Sequence, residues 1–77
     1  MMNNLRRKRL SEIAAKIEEL KADLEIIQED EETARDNLPE SMQDSERYER
    51  MDEACDNLGN AVDSLDEALA AIEEASA

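Results

Sequence analysis

Cys55 is the only thiol in a 77-residue chain that contains no histidine. A cysteine nucleophile needs a neighbouring base or an electropositive, partly open setting. Cys55 has Ala54 and Asp56 beside it instead, so the reading is a small apolar side chain packed between helices. A lone cysteine forms no disulfide within the chain, and one thiolate without histidine cannot close a tetrahedral zinc site.

The carboxylates are the next candidates. Glu29, Asp30, Glu31 and Glu32 form an acidic run. Calcium and magnesium sites need oxygens converging on an ion, usually from a loop, whereas a continuous helix sends consecutive side chains in different directions. No EF-hand spacing occurs, and a bundle-type di-iron site would require Glu-x-x-His. The run reads as a solvated face. Arg6, Arg7, Lys8 and Arg9 form a basic block that could meet phosphate or an anionic lipid surface. Residues 1–22 carry six basic and three acidic side chains, or +3, and the remaining residues three basic and nineteen acidic, or −16. A net charge of −13 and a single aromatic residue, Tyr48, argue against direct nucleic-acid binding. The block is expected to be neutralised within the fold by Glu67, Glu73, Glu74 and the negative end of the second helix. No nucleophile–base pair and no glycine-rich loop can be assembled, so the expectation is a protein that is not an enzyme, with no catalytic residue, no cofactor and no metal.

What positions these residues is a heptad pattern. Residues 49–76 divide into four blocks of seven, with Met51, Leu58, Leu65 and Ile72 in one column and Cys55, Val62 and Leu69 in another. Together with Tyr48 they form a ladder alternating steps of three and four, the a and d positions of a coiled coil. Leu10, Ile13, Ile17, Leu20, Leu24 and Ile27 form an equivalent ladder earlier in the chain, continued by Glu31, Ala34 and Leu38. Glu31 is the charged member of that seam, read as a device for register or as a side chain reaching water past Met51.

Pro39 interrupts the pattern, because it lacks an N–H and disfavours helical geometry at Leu38. The spacing predicts a first helix over about 4–37, a hinge over 38–44 and a second helix over about 45–76, in one domain spanning 1–77. Asn37 is expected to cap the first helix. Ser41 with Asp44, Asp44 alone, or Ser45 can open the second. The ladders mirror each other across the hinge, pairing Leu10 with Ile72, Ile13 with Leu69, Ile17 with Leu65, Leu20 with Val62, Leu24 with Leu58 and Ile27 with Cys55. A short connection between helices of equal length favours antiparallel neighbours. Antiparallel packing sets e positions against e positions, so Arg7–Glu73, Lys21–Asp66 and Arg35–Asp52 are expected pairs. The fold class is all-α, an antiparallel two-helix hairpin of coiled-coil type.

Every block of the second helix also carries alanine in one column, Ala54, Ala61, Ala68 and Ala75. This column widens the apolar stripe to an a/d/g face and lets another helix come close. A chain this small buries little core alone. The expectation is therefore a homodimer closing a four-helix bundle, with the four alanines at the interface. No apolar run approaches the roughly 20 residues of a membrane span. The opening MMNNLRRKRLSEI has no apolar stretch after its basic residues, so a cytoplasmic protein is expected.

The stretch RDNLPESMQDSERYERMDEACDNLGNAVDSLDEALAAIEEA covers about half the chain and resembles small acidic helical-hairpin proteins, themselves uncharacterised, of Gram-positive gut bacteria and their prophages. NLPESMQDSERYE followed by repeated D-x-L blocks carries the resemblance. It implies a cytoplasmic helical hairpin in a mobile-element setting and supplies no catalytic or binding residue. Three functions follow as expectations. The first is a non-enzymatic protein–protein interaction module that associates with itself. The second is an acidic mimic of DNA or RNA that blocks a basic nucleic-acid-binding protein, such as a defence nuclease. The third is a membrane-surface factor acting through Arg6–Arg9.

Overall fold

A computed structural model describes residues 2–77; Met1, part of the single domain expected over 1–77, lies outside them. The first helix, α1, runs Asn4–Asp36 and the second, α2, runs Glu46–Ser76, with a short 3₁₀ turn at Glu40–Met42 between them. The two long helices pack against each other as a hairpin 59 Å long and 15 × 12 Å across. Among the described residues there is no strand, and no helix is long and apolar enough to cross a membrane.

Local chemistry places each helix end. Asn3 caps α1, its Oδ1 accepting the Arg6 N–H at 2.9 Å. At the far end the Asn37 N–H donates to the Thr33 carbonyl at 3.0 Å and Leu38 to Arg35 at 3.2 Å. Asn37 is the C-terminal cap in right-handed geometry, with φ −87° and ψ −1°. The helix stops there because Pro39 follows Leu38. Of the alternatives for the start of α2, the structure takes Ser45. Its Oγ accepts the Tyr48 N–H at 3.2 Å and donates to the Met42 carbonyl, tying the cap to the 3₁₀ turn. Glu46 and Glu49 in the first turn complement the helix dipole.

Very little of the hairpin is shut off from water. Cys55, 4% exposed, is the one buried hydrophobic residue among those described. Two helices offer each other one stripe apiece, and the outer side of each stripe stays wet.

Candidate functional site

The helices meet along two unlike flanks. On one flank the e columns face each other. Lys21 Nζ lies 2.6 Å from Asp66 Oδ1, and Arg35 Nη1 lies 2.8 Å from Asp52 Oδ1. Between these pairs Gln28 crosses to Gly59, where a Cβ would stand 3.1 Å from Gln28 Nε2. The atom met there is the movable end of a side chain rather than backbone. The Lys21 ammonium is held above its ordinary value, mainly by the hydrogen bond to Asp66, against a smaller lowering by desolvation. The Arg35 guanidinium is also raised, first by its hydrogen bond to Asp36 and then by Asp52. These ion pairs sit at the surface, so they fix register more than they add stability.

The third expected pair is not made. Lys21–Asp66, Arg35–Asp52 and Gln28–Gly59 repeat by heptads, and in that series Glu73 corresponds to Ala14 rather than to Arg7. Arg7 and Glu73 border the same open groove, yet Arg7 Nε is buried without a hydrogen-bond partner.

The e-flank contacts also turn α1. In that helix the half-buried positions are Arg7, Leu10, Ala14, Ile17, Lys21, Leu24, Gln28, Glu31 and Arg35, the a and e columns, together with Glu32. Leu10, Ile17 and Leu24 therefore lie at the seam. Ile13, Leu20 and Ile27, assigned to the seam from their spacing, lie on the surface instead, 47%, 61% and 54% exposed. Ala34, in the same column, is exposed as well. An a/e face is rolled about 50° from an a/d face at 100° per residue. The roll has a physical cause. Ala14 is small, and Lys21 and Arg35 lay their methylene stems along the groove while their charged heads reach Asp66 and Asp52.

The second helix keeps its own seam inward. Tyr48, Met51, Leu58, Val62, Leu65, Leu69 and Ile72 are half-buried around Cys55, as are Ala54, Ala61 and Ala68; Ala75 is exposed. Burial pushes the Cys55 thiol up, and Arg35 nearby offsets part of that. A thiol so placed is a poor nucleophile. Among the described residues no three acidic or cysteine side chains cluster to hold a metal ion. Glu29 and Asp30 are exposed, while Glu31 and Glu32 are half-buried.

The other flank is open. In an antiparallel pair the g columns lie opposite the e columns, and the roll swings the d column of α1 toward them. Ile13, Leu20 and Ile27 thus form a ridge beside the alanine column of α2, while Ile26, 57% exposed, lies about 100° further round α1. Helix α1 turned toward its e column was hidden from the sequence by larger apolar residues at d. Compared with known protein families, curated proteins and solved structures, the chain matches none.

Proposed function

We propose that the protein is a non-enzymatic protein–protein interaction module, an acidic helical hairpin that associates with itself. The observation that carries this reading is the imbalance, among the described residues, between a single buried hydrophobic residue and five large hydrophobic residues left 47–67% exposed, namely Leu5, Ile13, Leu20, Ile26 and Ile27. Three of the five form one ridge. The accessible surface is 5941 Å², whereas a folded monomer of 8.7 kDa is expected to expose about 4,700 Å². The excess, about 1,200 Å², exceeds the roughly 800 Å² that each partner gives to an ordinary interface. Sedimentation equilibrium at micromolar concentration tests the proposal. A dimer supports it, and a cooperatively melting monomer of 8.7 kDa at every concentration overturns it.

A second reading rests on the outward side of α2, where Glu46, Glu49, Glu53, Asp56, Asp63, Glu67 and Glu74 are all exposed in one row. Such a row attracts basic grooves at long range, and the prophage setting implied by the resemblance suits an acidic nucleic-acid mimic. Steps of three, four and seven residues advance the row about 7 Å per carboxylate on average, against about 3.4 Å of axis per phosphate along one DNA strand. That mismatch places mimicry second. Capture of a nucleic-acid-binding protein, released by competing DNA, would raise it; recovery of none would remove it.

A further inference from the structure

We propose that the open flank is a self-complementary surface, on which a second copy lies with its α1 antiparallel to the first about a two-fold axis at Leu20. This rests on the self-association reading and names its face and orientation.

Three observations converge on Leu20. It is the middle residue of α1, which runs Asn4–Asp36, so an axis there lets the helix overlap its copy along its whole length. It is also the middle of the exposed ridge, with Ile13 seven residues before it and Ile27 seven after. The charges beside the ridge reverse at the same point. Exposed Arg9 and Lys16 precede Leu20 in the adjoining g column, and exposed Asp23 and Asp30 follow it. Antiparallel pairing about Leu20 sets Lys16 against the partner's Asp23 and Arg9 against the partner's Asp30. Parallel pairing would set like charge on like. Complementary charge of this kind selects orientation and partner. It also lays the +3 of residues 1–22 beside the acidic hinge end of the other copy.

The hairpin register supplies the groove. Ile13, Leu20 and Ile27 recur at the same seven-residue spacing as Ala75, Ala68 and Ala61 on the antiparallel neighbour, whose direction Lys21–Asp66 and Arg35–Asp52 fix. The two-fold axis then carries the partner's Ile27, Leu20 and Ile13 over those same alanines. Large side chains of one copy meet small ones of the other at every heptad, which permits close helix approach. The alanines are thereby used, and the e flank with its ion pairs stays outside the interface.

Two experiments test the face. Leu20→Cys places its thiol at the axis, and mild oxidation should link nearly all of the protein into disulfide dimers. Ala15→Cys, exposed on another side of α1, should not link, and buried Cys55 in the unaltered chain should not link either. Independently, Lys16→Asp should weaken self-association roughly tenfold, and adding Asp23→Lys in the same chain should restore it. A dimer by sedimentation that neither links through Leu20→Cys nor recovers in the double variant overturns the proposed face while leaving self-association intact. A monomer at every concentration overturns both.

Discussion

Replacing Leu20 by alanine separates the two places a side chain can be buried in this protein. Leu20 is 61% exposed in the hairpin. Full burial of a leucine side chain is worth about 1.5–3 kcal/mol, so the two-fifths already covered contribute about 1 kcal/mol to the single chain. Leucine and alanine are both good helix formers, so propensity changes this little. Covering the remaining three-fifths in a dimer adds about 1–2 kcal/mol per chain, or 2–4 kcal/mol for the pair. That corresponds to a loss of roughly 30- to 1000-fold in the dimerisation constant, at 1.4 kcal/mol per factor of ten. Urea titrations at 2 µM and at 200 µM, followed by helical circular dichroism, read both quantities. The unaltered protein should unfold at higher urea when concentrated. Leu20→Ala should lose most of that dependence while falling only slightly at 2 µM. Leu24→Ala, at the seam within the chain, should fall by a similar amount at both concentrations. If Leu20→Ala cost as much as Leu24→Ala in the dilute sample, or if the unaltered protein showed no concentration dependence, the division into an inner seam and an outer ridge would be refuted.

Other predictions concern the hairpin itself. Gly59→Ala should stabilise by about 0.5–1 kcal/mol in urea titration, because glycine is costly inside a helix and the contact at 3.1 Å is with the movable end of Gln28. Ser45→Ala should cost about 1 kcal/mol through loss of the cap on Tyr48, and Ser45→Asp should recover most of it. Stability should decline above about pH 9. The Cys55 thiol and the Lys21 ammonium both have folded values above their ordinary 9.0 and 10.5. The stability each contributes is complete below the ordinary value and is lost as pH rises through the folded one. Thermal melts from pH 7 to 11 should show this, and Cys55→Val should remove the earlier part of the fall.

The hairpin was legible because its signals are redundant. Two ladders of equal length, the break at Pro39 and opposite charge in the e columns all require the chain to double back, and Lys21–Asp66 with Arg35–Asp52 shows the charges acting as read. The rotation of α1 was not legible. Columns a and e repeat by three and four as columns a and d do, and Ile13, Leu20 and Ile27 are more apolar than Ala14, Lys21 and Gln28. Hydrophobicity therefore chose a/d, while the helices settled on a/e, where two ion pairs join the flanks. A ridge rich in isoleucine and leucine yet turned to water is the same conflict seen from outside, and the proposed second copy of the chain would resolve it. Arg7–Glu73 is the expected pair that is not made: the two residues border one groove, yet no ion pair joins them. The start of α2 depended on which of three short polar side chains faced Tyr48, a choice made by the 3₁₀ turn rather than by residue type.

Small-angle X-ray scattering with mass determined from the same sample tests the central claim most directly, because it reports shape and association together. One hairpin has a Cα radius of gyration of 17.5 Å. A copy laid alongside at 8–10 Å between helix axes doubles the mass but adds only about 1 Å to that radius. The account predicts a particle of about twice 8.7 kDa with a radius close to that of one hairpin. A single-chain mass at high concentration, or a radius near the 33 Å of an unbroken rod of 77 residues at about 1.5 Å each, would contradict it.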